Sequence, residues 1–516
     1  MLKKLSLQTQ RILDFIDGLL DPITSYKLVL YFLYVLVGWA ILAGAISHKS
    51  IAFHWYDIVI STLFLMAVCR GVNFLLSYSL NVPRNSESDL ITALILSMIM
   101  SPATTANDFL ILGLAASFAM ASKYVLVISK RHIFNPAATG AYLSGLVFHH
   151  YASWWVGTTI LTPVVLVGGL LIMRKMKRYI MVTTFIVIYL IILGVTVAMR
   201  HSGSSVPHNL WVSLTASPLL FFSYIMLTEP LTSPNKLINY IPYSALVAVL
   251  YGVTKLRIPP EEALLIGNAF AYIIAPYKRL KLNFVGKRQE AEGIYSFAFS
   301  GKDSLNFQPG QYLEWTIPSS ESDNRGNRRY FTISSSPTEK ELGFTVKMPS
   351  PTSSFKKHLM QFKDDDSLLA THLAGSFVLP KDPNQKLAFI AGGVGITPFR
   401  SIIKYLLDSQ QPRNAVLLYS ANNFREFAFT DLFKQAKSVG LKTGYVISNA
   451  ESASKGWPGF VGQINEELIG KTISDYKERQ FYVSGPYGFV KTARQELIKL
   501  GLPHRQIITD YFPGYG

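Results

Sequence analysis

The sequence predicts a polytopic α-helical membrane domain of about ten spans, then a six-stranded antiparallel β-barrel, then an α/β domain. Three observations predict this order. Residues 26–280 consist largely of long apolar runs with few acidic residues. From about residue 281 the composition becomes that of a soluble protein with short alternating strands. Two glycine-containing turns then follow apolar strands, as in α/β folds. We therefore predict domains at 1–280, 281–382 and 383–516.

Ten apolar runs in the first domain are candidates to cross a bilayer, which takes about 20 helical residues. They lie near 28–47, 56–80, 88–101, 107–128, 134–149, 154–173, 179–200, 208–228, 238–255 and 261–276. The third and fifth runs are short for full spans. Basic clusters such as "RKMKR" (174–178) all fall on one side of this arrangement. The positive-inside rule then predicts a multi-pass protein of the cytoplasmic membrane, with both termini and the soluble part in the cytoplasm.

Charge and cysteine content exclude several classes of protein. The net charge of +17 follows mainly from this topology, and we expect no nucleic-acid partner because no basic stripe lies on a recognisable reader fold. Cys69 is the single cysteine, which excludes an intrachain disulfide or a cysteine zinc site. It also excludes an iron–sulfur cluster, which takes about four thiolates. We predict no metal site. Redox chemistry would need an organic cofactor, or haem held by histidines.

The segment "RRYFTISSSP" (328–337) is the first motif of the soluble part that carries chemistry. On a strand, Arg329 can clamp a pyrophosphate, the Phe331 ring can lie on an isoalloxazine, and the Thr332 hydroxyl can reach the flavin edge. The alternative for this motif alone is an ordinary exposed arginine.

A hydroxyl cluster follows in "PSPTSSFKKHL" (349–359). Thr352, Ser353 and Ser354 stand just before a predicted helix, where hydroxyls and free backbone N–H groups can hold phosphate. The alternative is that they only cap the helix.

Two strand–turn–helix segments complete the pattern. In "LAFIAGGVGITPFRSII" (387–403), three glycines, Gly392, Gly393 and Gly395, let the backbone approach a dinucleotide, and Thr397 can bond to it. The alternative is a tight turn without a ligand. The second segment, "QFYVSGPYGFVKTARQEL" (480–497), has a Gly-Pro turn, and the chain ends in the aromatic-rich "ITDYFPGYG".

In this order, the motifs of residues 281–516 resemble the ferredoxin–NADP reductase family throughout. The resemblance implies an FAD-binding barrel and an NAD(P)-binding α/β domain, with hydride passing from NAD(P)H to flavin and electrons leaving singly. It implies that Arg329, Phe331 and Thr332 contact flavin and that the hydroxyl cluster holds the FAD pyrophosphate. It further implies cofactor-binding roles for Gly392, Gly393, Gly395, Thr397, Gly485 and Pro486, and catalytic roles for Thr332, Ser484 and Phe512.

This sequence departs from the family at two of these positions. Phe331 replaces a more common Tyr, and Ser484 replaces a Cys that many relatives have, which would slow or alter hydride transfer. Arg425 is a candidate contact for a 2′-phosphate, with a solvated surface arginine as the alternative, so NADH and NADPH both stay open.

The membrane part shows an internal repeat, about 28–149 and 154–276. "FNPAATGAYL" (134–143) is echoed by "IGNAFAYI" (266–273), with Asn135 and Asn268 in corresponding places. A repeat after about five spans inverts the second copy, and inverted repeats with broken helices mark a site near their interface. Asn135 would begin a short helix there, or merely cap one at the membrane surface. Lys123 lies deep in an apolar run, where an ionisable residue is costly and usually functional, unless it snorkels to the surface.

The stretch "SKYVLVISKRHIFNPAA" (122–138) resembles a family of membrane proteins found in two bacterial redox pumps, the Rnf complex and the sodium-pumping NADH:quinone oxidoreductase (Nqr). "TEP" (228–230) stands where that family has "TDP". The resemblance implies a membrane cofactor or acceptor site with Lys123, His132, Asn135 and Thr228. The family carries covalent FMN on the Thr of "SGAT", but the matching segment here is "ASPL" and Leu219 replaces that Thr. We therefore expect no covalent FMN, but non-covalent FMN, riboflavin or a quinone.

The sequence thus predicts a fused membrane oxidoreductase that passes electrons from cytoplasmic NAD(P)H through FAD to a membrane-domain flavin, a quinone or an extracytoplasmic protein. One alternative is a transporter-like scaffold tethered to, or regulated by, a reductase. Another is a haem-type transmembrane reductase. The positions of the histidines argue against the haem-type reductase, because the histidines of the membrane part lie at span ends and do not form matching pairs within two spans.

Overall fold

The computed structural model describes residues 16, 19–20, 23–46, 51–80, 86–128, 131–199, 205–275, 280–301, 305–317, 327–348, 352–449, 451 and 456–512. The chain forms two compact units, residues 1–279 and 280–516. Basic residues at 1–4, 129–130 and 277–279, which contribute to the predicted orientation, lie outside the described residues.

The N-terminal unit is helical. Its helices are α1 Ser25–Ile46, α2 Trp55–Ser79, α3 Ser86–Ile99, α4 Ala106–Val125, α5 Pro136–Phe148, α6 Thr162–Met176, α7 Tyr179–Met199, α8 Val206–Thr215, α9 Leu219–Phe221, α10 Tyr240–Gly252 and α11 Pro260–Ile274. A π-helical turn, Phe222–Met226, continues α9. A short hairpin of β1 Val127–Ile128 and β2 Arg131–His132 precedes α5.

Within the described ranges, four helices are long and apolar enough to cross a membrane, namely α1, α2, α4 and α7. The number rises to five if α8 and the α9 segment, bent by 60°, count as one span. The predicted ten spans are therefore not confirmed. Helices such as α3, with 14 residues, and α5, with 13, fall short of the roughly 20 residues of a straight span. The run predicted at 208–228 is interrupted because Pro218 cannot continue a helix ladder.

Helix pairing follows one pattern in both halves of this unit. Helix α2 packs on α3 and α4, and α7 packs on α8 and α10; likewise α4 packs on α5, and α10 on α11. Helix α1 contacts α6 at Gly168, where an added Cβ would lie 2.0 Å from the ring of Phe32. Small residues allow such close approach between apolar helices. The pairing agrees with a repeat of five elements, and its inversion across a membrane stays a prediction.

The C-terminal unit begins with an antiparallel sheet. Its strands are β3 Leu280–Ala291, β4 Ile294–Ser300, β5 Tyr312–Thr316, β6 Arg328–Thr332, β7 Leu342–Lys347 and β8 Ser367–Ala374, in the order β6-β5-β8-β3-β4-β7. The edge strands approach each other where Ile333 bridges Phe344. A core of Trp315, Phe299 and Phe344, each completely buried, fills one side of the sheet. Full closure into a barrel stays a prediction. Helix α12, Ser354–Met360, lies between β7 and β8.

A parallel α/β layer follows. Its elements are β9 Leu387–Gly392, α13 Thr397–Asp408, β10 Ala415–Ala421, α14 Thr430–Gln435, β11 Leu441–Ile447, β12 Phe460–Val461, α15 Glu466–Thr472, β13 Gln480–Pro486, α16 Tyr487–Lys499 and β14 Ile507–Phe512. The strand order is β12-β11-β10-β9-β13-β14. Strands β9 and β10 are buried along their whole length because helices cover both faces of a parallel sheet. The order reverses between β9 and β13, and ligands of such sheets bind at that point.

Candidate active site

Two glycine turns meet at the reversal of strand order. Gly393 has φ +53, a conformation that favours glycine. A Cβ added to Gly395 would lie 2.4 Å from the carbonyl oxygen of Ser484 and 2.5 Å from the backbone nitrogen of Gly485. These are backbone atoms, so no side-chain movement can relieve the clash. The turn after β9 and the end of β13 are thus packed main chain to main chain.

The other predicted residues of these turns have structural contacts of their own. A Cβ on Gly392 would lie 2.7 Å from the ring of Phe489, so this glycine makes room for an aromatic ring of α16. Thr397 is buried as the first residue of α13. Pro486 is exposed at the end of β13 and lies opposite Phe512 of β14. The aromatic tail beyond Phe512 lies outside the described residues.

Ser484 is fully buried, and its hydroxyl has no hydrogen-bond partner in the described part of the chain. The residue lies between Ala391 of β9 and Asp510 of β14 in the sheet. A buried hydroxyl without a partner costs about 1–3 kcal/mol, and native proteins rarely leave one. Such a group at a strand end beside a glycine turn is suited to bond to a ligand.

Thr332 shows the same feature in the other half of the unit. It ends β6, is 2% exposed, and its Oγ1 lacks a hydrogen-bond partner among the described residues. The Arg329 guanidinium lies 5.4 Å from the ring centre of Phe355 at the start of α12. Phe331 lies against the same ring, at 5.7 Å. The structure therefore brings Arg329 and Phe331 to the hydroxyl-rich helix start, as the proposed pyrophosphate and flavin contacts require.

The helix start itself favours the capping alternative at one position. The Ser353 hydroxyl accepts a hydrogen bond from the Lys356 backbone N–H at 3.4 Å, so it is an N-cap. Ser354 is the first helical residue, and its carbonyl oxygen lies 2.8 Å from His358 Nδ1. Thr352 is half-buried just before the cap. A phosphate contact here stays a prediction. The Ser353 hydroxyl already has a partner within the chain, the Lys356 backbone N–H.

A polar link that the sequence analysis missed holds the two halves of the site together. Arg400 of α13 forms a two-point ion pair with Glu339, with Nη2 2.9 Å from Oε1. Its Nη1 also donates to the carbonyl oxygen of Ser334 at 3.0 Å. The Ser401 hydroxyl donates to the carbonyl oxygen of Ser335 at 2.7 Å. The strand carrying Thr332 is thus tied to the helix that begins at the glycine turn.

The far end of α13 carries a second contact of this link. Asp408 accepts a hydrogen bond from the Thr338 hydroxyl at 2.5 Å and pairs with Lys404. Partial burial alone would raise the pKa of Asp408, but the hydrogen bonds from Lys404 and Thr338 hold it below its usual value. The carboxylate therefore stays charged, and the link persists at neutral pH.

In the N-terminal unit, the two asparagines that correspond in the predicted repeat touch. The Asn135 backbone N–H donates to Asn268 Oδ1 at 2.9 Å. The Asn135 side chain caps α5 by accepting from the Ala138 N–H and donates to Glu229 Oε2 at 2.7 Å. His132 Nε2 lies 3.9 Å from the other Glu229 oxygen. Asn135 is therefore a helix cap, as the alternative expected, and also a member of a buried polar network that joins the two repeats.

Two other predicted residues lie outside this network's direct bonds. Thr228 is buried and donates to the carbonyl oxygen of Tyr224 at 2.6 Å. Lys123 does not snorkel, because its Nζ donates to Ser88 of α3, to the carbonyl oxygen at 2.9 Å and to Oγ at 3.0 Å. Leu219, at the position of the flavin-bearing threonine, is completely buried.

The residues of the C-terminal unit fit FAD and a nicotinamide. Two hydroxyls predicted to touch them are buried and unsatisfied within the described chain, and the glycine at 395 leaves no room for a side chain. For the described residues, no cluster of metal-binding side chains is present.

Comparisons with known proteins point the same way. Residues 389–495 match the family model of the oxidoreductase NAD-binding domain. Flavohemoprotein A of Dictyostelium discoideum is 28% identical over 242 residues, which cover 44% of this chain and 58% of that protein. The stachydrine N-demethylase reductase subunit Stc4 of Rhizobium meliloti (strain 1021) is 28% identical over 225 residues, 43% of this chain and 63% of that protein. The chain thus spans about three fifths of the length of these relatives.

A solved structure, the FAD/NAD-binding domain of a nitric oxide dioxygenase from Vibrio cholerae O1 biovar El Tor, matches with a TM-score of 0.40 and 21% identity, over 45% of this chain and 98% of that one. The Rnf-like and Nqr-like resemblance of the N-terminal unit stays a proposal. From the sequence matches, the C-terminal unit is an FAD/NAD-binding oxidoreductase domain similar to flavohemoproteins.

Proposed function

We propose that this protein is a multi-pass, cytoplasmic-membrane NAD(P)H oxidoreductase. It takes electrons from cytoplasmic NAD(P)H through FAD and delivers them to an acceptor in, or reached through, the N-terminal helical unit. The acceptor would be a non-covalent flavin, a quinone or a protein on the far side of the membrane. The observation that carries the reductase part of the proposal is the pair of buried hydroxyls of Thr332 and Ser484, which have no hydrogen-bond partner among the described residues.

FAD, when bound, supplies hydride acceptance and release of single electrons. Arg329 would pair with its pyrophosphate, and Phe331 would lie against its ring system. The Thr332 hydroxyl would hydrogen-bond the flavin edge and hold it in register with the nicotinamide. The open main chain at Gly393 would let the dinucleotide approach closely, and Gly395 allows this turn to pack against the end of β13.

Ser484 would orient the nicotinamide from the end of β13. Because its hydroxyl is fully buried, binding there excludes water from the reacting carbon and strengthens each polar contact. The link through Arg400 and Glu339 keeps the two hydroxyl-bearing strands in a fixed relation, and this fixed geometry favours transfer over short distances.

The N-terminal unit supports the membrane part of the proposal. The four long apolar helices found among its described residues are suited to a bilayer, and the short helix α5 begins at Asn135 in a buried polar network, as in proteins built from inverted repeats with sites between broken helices. On this proposal the ten apolar runs are ten full or partial spans, and fusion to the reductase unit replaces a separate electron-donating protein.

A second candidate, a transporter-like scaffold tethered to a reductase, is favoured by one observation. The polar groups around Asn135, Asn268 and Glu229 bond to one another, as the polar groups of a purely structural network would. Such a scaffold would leave the reductase active toward soluble acceptors and inactive toward lipid-soluble ones.

The test uses the full-length protein purified in detergent. Non-covalent cofactors are released with acid and identified by absorption and mass spectrometry, and NAD(P)H oxidation is followed with ferricyanide and with a short-chain quinone. FAD with both activities, plus a second flavin or bound quinone, supports the proposal. FAD with ferricyanide reduction but no quinone reduction and no second redox group favours the scaffold. Haem in the extract would point to the haem-type alternative.

A further inference from the structure

Arg178 is a cation buried at the turn between two helices of the N-terminal unit. Helix α6 ends at Met176 and α7 begins at Tyr179, so the connection is very short. Arg178 is only 6% exposed, although its guanidinium stays charged in proteins. Arginine is rarely buried unless it is paired, because a buried charge without a partner is costly.

The described residues around Arg178 supply polar contacts but no negative charge. Its Nη1 donates to the Ser233 hydroxyl and lies 3.8 Å from Met181 Sδ. The guanidinium lies 5.6 Å from the ring centre of Tyr240 at the start of α10. Within the described ranges, Arg178 forms no ion pair, and its Nε and Nη2 donate no hydrogen bond.

The acid of the neighbouring polar network does not pair with Arg178. Glu229 Oε2 accepts from the Asn135 amide at 2.7 Å and from the Thr232 hydroxyl at 3.0 Å. The Ser233 hydroxyl, which accepts from Arg178, donates to the backbone carbonyl oxygen of Glu229 and not to its carboxylate. Nε and Nη2 of Arg178 keep access to the surface, since neither is among the fully enclosed atoms that lack a partner in the described chain. Two donors therefore remain for a partner from outside.

The start of α7 indicates that this partner is an anion. The backbone N–H groups of residues 179–181 have no hydrogen-bond partner in the part of the chain that is described, and the first turn of α7 holds no acidic residue. Helix starts carry partial positive charge and bind phosphate. Arg174 and Lys175 lie in the last turn of α6, and Lys177 follows that helix. The turn thus combines a buried guanidinium, an open helix start and three more basic side chains.

The helix that begins at this turn exposes an apolar face. Ile180, Val187 and Ile191 are 40%, 53% and 59% exposed, and their spacing puts them on one side of the helix. Thr183 lies on the same side, but its hydroxyl donates to the Tyr179 carbonyl oxygen at 2.8 Å and so needs no partner in lipid. About ten helical residues, at about 1.5 Å each, match the roughly 15 Å of hydrocarbon in one leaflet. The face is therefore long enough for one acyl chain.

We propose that the turn between α6 and α7 binds the headgroup of an anionic phospholipid, with one acyl chain along this face of α7. Arg178 holds the lipid phosphate through Nε and Nη2, in the two-point geometry that guanidinium and phosphate favour. The N–H groups at the start of α7 add to this contact. The basic side chains nearby favour a lipid whose headgroup carries no compensating positive charge. The inference rests on the membrane location in the proposed function and is independent of the electron acceptor.

Native mass spectrometry of the full-length protein in detergent tests the site. The protein is mixed with phosphatidylglycerol or with phosphatidylcholine of the same acyl chains, which has the phosphate but also a cationic group. We expect at least about fivefold more adduct with phosphatidylglycerol, and Arg178→Gln should reduce this excess by about fivefold or more. The matched control is Arg257→Gln, which removes an exposed arginine between α10 and α11 and should leave the excess unchanged. Equal adducts with both lipids, or an excess that survives Arg178→Gln, would overturn the site.

A second measurement needs no variant, in case Arg178→Gln does not fold. Phosphatidylglycerol should raise the thermal unfolding midpoint of the wild type more than phosphatidylcholine does, and equal midpoints would overturn the site. Inorganic phosphate at the same concentration should neither raise the midpoint nor displace the lipid adduct. Displacement by inorganic phosphate would assign the site to a soluble anion and overturn the lipid.

The outcomes separate this inference from the proposed function. Protein recovered in the soluble fraction of cells without detergent would count against the membrane location, and so against the proposed function. Protein that needs detergent for extraction but shows no preference for phosphatidylglycerol would overturn the lipid site alone. Binding of phosphatidylglycerol by a protein that reduces no quinone would leave the lipid site standing and count against electron transfer to the membrane.

Discussion

The two units treat their predicted functional residues in opposite ways. In the C-terminal unit, Thr332 and Ser484 are buried with hydroxyls that no described residue satisfies. In the N-terminal unit, Asn135 uses its N–H, its amide oxygen and its amide NH₂ within the protein. Thr332 and Ser484 were chosen from the sequence through motifs that resemble a reductase family, and Asn135 was chosen because polar residues are costly in apolar surroundings. Their partners differ.

This difference bears on how each region functions. Unsatisfied hydroxyls predict a ligand that completes them, so changes there should affect binding and rate more than stability. A satisfied network predicts the reverse, because removal of one member leaves the others unpaired.

The largest effect is expected for Gly395→Ala. The new Cβ would collide with main-chain atoms of Ser484 and Gly485 at 2.4–2.5 Å, which pushes the glycine turn away from β13. We expect NAD(P)H–ferricyanide activity to fall by about 100-fold or more, since small displacements near reacting atoms cost about that much. The matched control is Gly488→Ala in α16, where a Cβ meets nothing within 4 Å. An active Gly395→Ala protein would show that the two turns do not form the site.

Sequence reasoning placed the candidate residues of the C-terminal unit at strand ends because their motifs are local. Each motif combines a strand, a turn and a few residues close in sequence, so the positions of Ser484 and the glycines at strand ends followed without knowledge of the fold, and their roles stay predictions. The Arg400–Glu339 pair was missed because its members are 61 residues apart and neither belongs to a motif. Its only signal was the "SSSP" segment that both residues contact.

The N-terminal unit was predicted less completely. The ten apolar runs correspond to the positions of helices, but composition cannot measure helix length against a bilayer, and several helices are too short for full spans. The internal repeat placed Asn135 and Asn268 at corresponding positions, but the hydrogen bond between them was not predicted. The complete burial of Asp89 was not predicted because "ESDL" reads as an ordinary acidic helix start, and its burial depends on helices packed from elsewhere in the chain.

A smaller effect is expected for Thr332→Val and Ser484→Ala. These two changes test most directly whether the two units differ in how their buried polar groups are satisfied. Each change removes a buried hydroxyl that lacks a partner in the described structure, so the ligand-free protein should be no less stable. With cofactor bound, we expect the rate of flavin reduction by NAD(P)H to fall by about tenfold, from loss of about one hydrogen bond. Stopped-flow absorbance measures this rate, with flavin content as control. Loss of stability without loss of rate would mean that the hydroxyls have partners within the chain.

The converse is expected for Asn135→Ala. The change removes a helix cap and leaves the Glu229 carboxylate without its amide donor, which should destabilise the N-terminal unit by about 2–4 kcal/mol. Thermal unfolding in detergent should show a lower midpoint, with ferricyanide activity unchanged below it. The control is Asn209→Ala, at a half-buried asparagine whose side chain donates to the carbonyl oxygen of Ser205 at its own helix start, and this variant should unfold like the wild type. Equal unfolding midpoints for Asn135→Ala and Asn209→Ala would show that the Asn135 network does not stabilise the N-terminal unit.

Acid should weaken the C-terminal unit through Asp475. Two hydrogen bonds from Arg479, at 2.6 and 2.9 Å, and one from Lys386 lower the pKa of Asp475 to about 2, although burial opposes them. The unfolded value is about 3.9, so the ion pair stabilises the fold fully above about pH 4 and loses this effect as pH falls toward 2. At neutral pH we expect Asp475→Asn to cost about 1–2 kcal/mol, and calorimetry should show the difference closing below about pH 4. Asp431→Asn, at an exposed ion pair, should change stability by only a few tenths of a kcal/mol.

The smallest effect is expected at Arg425, the candidate 2′-phosphate contact. Its guanidinium lies 5.6 Å from the ring centre of Phe424, on a short exposed turn beyond β10, and the Arg425 backbone N–H donates to Asn423 at 2.9 Å. Because water already solvates a phosphate at the surface, the Arg425 side chain would gain little free energy by leaving the exposed Phe424 ring to pair with it. We therefore expect Arg425→Ala to change the ratio of kcat/KM for NADPH to that for NADH by less than about threefold, under 1 kcal/mol. A selective tenfold loss with NADPH, at unchanged kcat/KM for NADH, would instead make Arg425 the residue that recognises the phosphate, and would place the adenosine end of the coenzyme at the carboxyl end of β10.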